Sequence, residues 1–423
     1  MSTIKSIKAY EIIDSHGFPT IEARLILADG RTVISSVPTG TSVGKYEAVE
    51  LRDGDEKRFE GMGVTRAVSY INDLIAPKLV NISPLKQMEI DYWLIKADGT
   101  QNKAHLGANT ILTISQVIAA AGAVVSGVPL FQYLNTVFQK VHQKPITVEK
   151  IPTPIFNIIN GGRHANNQLD FQEFQFIPSS ALSFTASYER GISLFHELKR
   201  VLIYRNANVA VGEEGGFTPN FTTNLDALEV LMETVNKKNL KLGLDIFLGL
   251  DLAASTFYKD GKYTIKDKTH GMGTEEYMKF IEEQVKNYSL LTLEDPLHED
   301  DWEGWKELSR RIGKDVYLAA DDLISTNKSR LDRAIKESAC STVVIKPNQI
   351  GTVTEVLEVI SMARLNNLSC IVSQRAGETT DTFIADLAVG VQADFVKFGA
   401  PSRGERVAKY NRLWQIEREE LKQ

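Results

Sequence analysis

Six short apolar runs in the second half of the chain each end on a residue able to do chemistry. "IFLGLD" ends at Asp251, "LLTLED" carries Glu294, "VYLAADD" carries Asp321, "VVIK" ends at Lys346, "CIVSQR" ends at Arg375 and "DFVKFG" carries Lys397. The first three are carboxylates and the last three are cations. Carboxylates with no His or Cys beside them form a hard oxygen donor set, which suits Mg²⁺ better than zinc or copper. A divalent cation and neighbouring positive side chains favour the neutral amine, so Lys346 is expected to have a lowered pKa and to act as a base. Arg375 offers a planar fork for phosphate or carboxylate, and Lys397 a point charge. Metal, base and anion clamp together suit abstraction of a proton next to a carboxylate. The segment "VAVGEEGGFTPN" adds Glu213 and Glu214 beside two glycines. Adjacent carboxylates in one enclosed site raise each other's pKa, so one of the two is expected to serve as a general acid.

Such groups act together only if the fold gathers them. The apolar runs recur at roughly 20–45 residues with amphipathic helical segments between them, the rhythm of a (β/α) barrel. In that architecture the C-terminal strand ends meet at one mouth, and six consecutive ends carrying carboxylates and then cations would converge there. Earlier in the chain "IKAYEII", "IEARLIL" and "RTVISSV" alternate as strands, with "ADG" turning between the last two. Helical periodicity follows over 64–79, 84–96 and 109–125. This is an α+β unit, and the looser "QKVHQKPITVEKIPTP" marks its boundary with the barrel. The expected fold class is therefore α/β, with an N-terminal α+β domain over 1–138 and a C-terminal (β/α)8 barrel over 139–423.

Composition narrows the function classes. A chain of 423 residues with 43 % hydrophobic and 24 % charged residues can bury a large core without being disordered. Lys+Arg 48 against Asp+Glu 54 leaves a net charge of −6, which argues against nucleic acid or an anionic membrane as partner. The two cysteines, Cys340 and Cys370, make no disulfide framework and fit a reducing compartment. The N-terminal "MSTIKSIKAYEIID" shows no basic segment leading into an apolar run. A cytoplasmic location is the expectation. Between Lys103 and Lys140 no Asp, Glu, Lys or Arg occurs, but Asn109, Thr110, Thr113, Ser115 and Gln116 interrupt the apolar character. This segment reads as a helix buried between domains rather than a membrane span.

Read in order, "VGEEGGFTPN", "LEDP", "ADDL", "IKPNQIGTVTE", "GETTDTFIADLAVG" and "GERVAKYNRLWQIE" resemble the enolase family. So do "EIIDSHGFPTIEA", "VPTGTSVGKYEAVELRDGD", "GANTILTIS" and "FNIINGGRHANNQLDFQEF" nearer the N-terminus. The resemblance implies a modified barrel that opens with two strands and two helices before its regular units. It also implies Mg²⁺-dependent, reversible dehydration of 2-phosphoglycerate to phosphoenolpyruvate, with two Mg²⁺ per site and a homo-oligomer, dimeric or larger. By the same resemblance Asp251, Glu294 and Asp321 are metal ligands, and Thr39 places a hydroxyl on the second ion. Lys346 is the base at C2 and Glu214 the acid at the C3 hydroxyl. His164, Gln172 and Glu173 line the hydroxyl side, with His164 on a mobile loop that closes over substrate. Ser373, Gln374, Arg375 and Ala376 form the phosphate-side turn, and Lys397 is the cation on the carboxylate side.

Several positions depart from the family's usual pattern. That turn usually reads Ser-His-Arg-Ser, so Gln374 replaces a His and Ala376 a Ser. Thr39 stands for a Ser, Glu213 for an Asp, and His16 and Phe18 for the Arg and Asn of a dimer contact. Two other readings follow from these departures. One is a dehydratase for another phosphorylated or phosphonylated hydroxy acid; the other is a catalytically poor relative kept as a binding protein.

Overall fold

A computed structural model describes residues 2–40, 44–165 and 169–421. Strands β1 (Ile4–Ile13), β2 (Pro19–Leu27) and β3 (Thr32–Ser36) form an antiparallel sheet in the order β1-β2-β3. The helical expectations downstream hold, with shifts at the ends. Thr65–Ser69, Tyr70–Ile75 and Ala76–Leu79 run on from one another, the middle piece as a π turn, and Gln87–Asp98 and Ala108–Ser126 follow. The stretch between Lys103 and Lys140, expected as one buried helix, is two: the first ends at Gly127, and Leu130–His142 begins after Pro129. The second presents Phe131, Leu134, Val137 and Phe138 to the core of the barrel.

The barrel is closed by eight strands. They are β4 (Thr153–Asn160), β5 (Glu173–Pro178), β6 (Ile246–Asp251), β9 (Leu290–Glu294), β10 (Tyr317–Ala320), β11 (Thr342–Ile345), β12 (Ser369–Ser373) and β13 (Phe395–Lys397). A small hairpin, β7 (Tyr258–Lys259) with β8 (Lys262–Tyr263), lies between the third and fourth of them. All six apolar runs singled out in the sequence are barrel strands. Their neighbours pair in parallel, except that β5 is antiparallel to both β4 and β6. Two helices, Phe184–Tyr204 and Asn224–Lys237, then separate β5 from β6. Beyond that point strand and helix alternate regularly to the final helix, Gly404–Ile416.

Side chains alternate across each strand with a period of two, which decides what reaches the mouth. In β11, Val343 and Ile345 face the surrounding helices while Val344 fills the barrel with Ile155, Ile177, Ala319, Ile371 and Phe395. Lys346, two residues on from Val344, therefore points inward again. The same count carries Ala319 to Asp321, Ile371 to Ser373 and Phe395 to Lys397. The strands read as unbroken apolar runs because helices cover their outer face.

Several of those helices start on side-chain caps that satisfy free backbone N–H groups. The Thr223 hydroxyl and Asp226 form a capping box, and Asp301, Asn327 and Thr352 cap the helices that follow them. Helix Ala108–Ser126 is long and apolar enough to cross a membrane, yet it is largely buried within the protein. Ile111, Ile114 and Val117 pack into the N-terminal core, and Ala119 and Ala123 into the barrel core. It lies between the two cores, as its sequence suggested.

Candidate active site

A cleft opens at the barrel mouth. Of the residues named from the sequence it is lined by His164, Gln172, Glu173, Glu214, Asp251, Asp321, Lys346, Ser373, Gln374, Arg375, Ala376 and Lys397. Glu294 and Thr39 do not line it. Glu294 pairs with Lys397 through Oε2, and its other carboxylate oxygen, Oε1, is buried and without a hydrogen-bond partner among the described residues. Thr39 is fully buried in a two-residue bridge to Gly377, and its hydroxyl also lacks a partner among the described residues. Residues 41–43 of the Thr39 segment and 166–168 of the His164 segment lie outside the described residues.

The six strand ends do not keep carboxylates and cations apart. Lys397 Nζ reaches Glu173 Oε2 and Glu294 Oε2 at 2.8 Å each and Asp251 Oδ2 at 3.4 Å. Lys346 Nζ pairs with Asp321 Oδ2, whose other oxygen accepts from Gln349 Nε2 at 2.9 Å. Burial raises the pKa of Glu294 well above the carboxylate range and raises those of Asp251 and Glu173, with Lys397 opposing it in each case. Asp321 also suffers burial, but Lys346 outweighs it and holds the carboxyl below its usual value.

Two expectations need correction here. Lys346 was expected to have a lowered pKa. Burial does work against its charge, but the adjoining Asp321 carboxylate prevails and raises it above the ordinary lysine value. The carboxylate expected to face a cation is in direct contact with the amine itself. Glu213 and Glu214 were expected to share one enclosure, and they do not. Glu214 is buried in the cleft and its Oε2 accepts from Asn157 Nδ2 at 2.5 Å. The Glu213 side chain is 44 % exposed and turns away, 3.8 Å from His16 Nε2.

Around Glu214 stands a second group. His164 Nδ1 lies 3.6 Å from Glu173 Oε1 and 3.7 Å from Glu214 Oε2. Burial drives His164 down to about 4, so the ring is neutral at ordinary pH. Glu173 enters from β5, whose N-terminal end is at the mouth because that strand runs backwards. Gln172, just ahead of it, donates from Nε2 to Asp251 Oδ2 at 3.2 Å.

Arg375 is buried and forked onto Glu47, at 2.7 Å from Nη1 and 3.2 Å from Nη2, and it also donates to Asn348 Oδ1 at 2.8 Å. Glu47 belongs to the N-terminal domain, and sequence reasoning did not single it out. Its place two residues after "GK" gave no signal of its own. Asp295 and Asp322 were also missed. Asp295 accepts the backbone N–H of Asp321 at 3.0 Å and of Asp322 at 2.8 Å, which pins the end of β10. Burial, then Asp321, pushes Asp322 up to about 7.

The donor set can be tested against a hard divalent cation. Asp251 and Glu294 are register partners on neighbouring strands, and Glu294 pairs with Ala319, two residues before Asp321. The three carboxylates offer only oxygen, and Glu294 Oε1 is a buried acceptor without a partner among the described residues. These residues fit Mg²⁺. Together with a lysine and a glutamate in one cleft and an arginine at its rim, the arrangement can move a proton from carbon and protonate a leaving oxygen.

Comparison with known proteins agrees with this geometry along the whole chain. Residues 148–423 match the family model described as enolase, C-terminal TIM barrel domain, and residues 4–134 match that of enolase, N-terminal domain. Enolase from Ehrlichia canis (strain Jake) is 43 % identical over 417 residues, which cover 99 % of this chain and 96 % of that protein. A modified barrel with a reversed second strand, a cap that lends Glu47 to its mouth and two family models that together span nearly every residue leave one assignment: the chain belongs to the enolase family.

Proposed function

We infer that this chain is a phosphopyruvate hydratase, a lyase that interconverts 2-phosphoglycerate and phosphoenolpyruvate. The observation that carries the reading is that Lys346 and Glu214 line one cleft together with Asp251, Asp321 and Lys397. In the forward direction Lys346 Nζ takes the C2 proton, and the electron pair left on C2 forms the C2–C3 double bond. The C3–O bond breaks, and the departing hydroxide takes a proton from Glu214 and leaves as water. Lys346 must be neutral to begin. A cation drawing on Asp321 would remove the interaction that keeps the amine charged.

Asp251, Glu294 and Asp321 are the residues that would hold Mg²⁺, with Thr39 offering a hydroxyl for a second ion. When bound, Mg²⁺ supplies positive charge against the substrate carboxylate as the C2 proton leaves. Lys397 adds a fixed charge on the same side. Arg375 and the turn from Ser373 to Ala376 receive the phosphate. His164, Gln172 and Glu173 surround the C3 hydroxyl and keep water from it. We further propose a cytoplasmic, homo-oligomeric enzyme of glycolysis and gluconeogenesis, with a cap over 1–138 and a catalytic barrel over 139–423.

The test is direct. Purified protein with 2-phosphoglycerate and Mg²⁺ should produce phosphoenolpyruvate absorbance that chelation abolishes. No Mg²⁺-dependent signal would defeat the reading, and turnover of a different phospho-acid alone would redirect it. Lys346→Ala should stop exchange of the C2 proton with solvent, and retained exchange would remove Lys346 from its role.

A further inference from the structure

Arg406, on the last helix, is fully buried and touches none of the residues given a part in bond breaking except through one neighbour. Its guanidinium donates to four oxygens on two different loops. Nη1 reaches Gln374 Oε1 at 2.6 Å and the Arg375 carbonyl at 2.7 Å. Nη2 reaches the Glu213 carbonyl at 3.0 Å and the Ala376 carbonyl. The first loop is the anion-receiving turn and the second leads straight into Glu214.

An arginine has only donors, so the Gln374 atom facing it must be the carbonyl oxygen. The amide orientation is thereby fixed, and Nε2 with its two hydrogens is the other end. That nitrogen is buried and has no hydrogen-bond partner among the described residues, while Gln374 itself lines the cleft and is 2 % exposed. An unsatisfied buried donor costs stability unless something else takes it. Gly399 keeps the space beside it open: a Cβ there would come within 2.9 Å of Gln374 Nε2 and 2.7 Å of the Glu214 carbonyl oxygen.

We propose that Arg406 is a positioning residue that turns the Gln374 amide so that its N–H groups meet an oxygen of the bound ligand next to Glu214. It holds the acid-bearing loop and the anion-receiving turn at a fixed separation through the same guanidinium. Gln374 is then a donor at every working pH, since an amide does not titrate. The proposal rests on the reaction inferred above.

Kinetics with 2-phosphoglycerate and Mg²⁺ test it. Gln374→Met keeps the length of the side chain without its amide, and should lower kcat/KM about 10- to 100-fold, with a lower thermal midpoint because Arg406 loses the oxygen it donates to. Gln374→His should restore most of that loss, because a neutral imidazole accepts from Arg406 through one nitrogen and donates through the other. Arg406→Lys should cost about tenfold in kcat/KM with Gln374 present and less than about twofold in the Gln374→Met background, the signature of two residues acting as a unit. Additive losses, or full activity in Gln374→Met, would overturn the proposal. If Arg406→Lys fails to fold, the Met and His variants decide it: equal activities would overturn it, and a selective rescue by His would uphold it. Absence of turnover in the unaltered protein would instead overturn the reaction. The same double-mutant cycle on the heat of 2-phosphoglycerate binding would then decide the role of Arg406, coupling upholding it and additivity overturning it.

Discussion

Among the described residues seven carboxylates and two lysines line the cleft, and each lysine is paired with at least one carboxylate. The division of labour among them leads to separable effects. Glu214→Gln cannot protonate a leaving hydroxide, so overall turnover should fall about 10²- to 10⁴-fold while exchange of the C2 proton, which needs only Lys346, continues. Loss of both together would mean that Glu214 does more than serve the leaving group. His164 gives a pH prediction. Its folded pKa of about 4 lies below the ordinary histidine value of about 6.5. The unfolded chain therefore takes up a proton that the folded ring refuses, and the stability present above pH 6.5 is lost as pH falls towards 4. The His164 ring resonances should stay unchanged by NMR from about pH 8 to about pH 5. A midpoint near 6.5 would show that the ring is wetter than described. At this scale the sequence revealed residue types well and directions poorly. Glu213 and Glu214 are neighbours in the chain, but a tight turn sends one out and the other in.

The elements explain which strand ends were legible. β6 and β9 to β13 end on polar residues because period-two alternation, begun on apolar interior side chains, continues past the last ladder bond. That pattern is local, so it can be read without knowing the fold. β5 breaks it, since its functional residues, Gln172 and Glu173, precede the strand. Only the family resemblance pointed to them. Helix Leu130–His142 was not separated from the one before it because no charged residue marks the break, which rests on Gly127 and Pro129 alone. Close packing between elements can be probed at Gly191 in helix Phe184–Tyr204. A Cβ there would fall 2.3 Å from the ring of buried Phe156 on β4. Alanine improves helix propensity by up to about 1 kcal/mol, yet overpacking should win and destabilise the protein by about 1–3 kcal/mol net. A urea midpoint that rises in Gly191→Ala would show that the helix can shift away from the strand.

Across the whole molecule two apolar cores meet along helix Ala108–Ser126, and polar groups lock the junction. Asp91 on the N-terminal side accepts from the Thr354 N–H at 3.0 Å and from Gln87 Nε2 at about the same distance. Lys103 Nζ reaches Glu355 Oε1 at 2.8 Å, with both side chains largely buried. Removing one partner of such a pair leaves the other charge stranded, so Lys103→Met should cost about 3 kcal/mol. Equilibrium denaturation in urea measures it, and an unchanged midpoint would mean that the pair contributes nothing to the junction. The contacts to Thr354 and Glu355 were not visible in the sequence, because they join residues about 250 positions apart and no local pattern marks either end. Glu47 went unseen for the same reason.

The backward run of β5 has one further result. Staves that all point the same way could be interchanged by rotating the barrel about its axis, and a duplicated half could stand in for the missing one. Here no such rotation superposes the first half on the second. A protein assembled from two copies of the segment after β9 would close its sheet and still lack any chain approaching the mouth head first. The carboxylate and amide that now arrive by that route would have nowhere to stand.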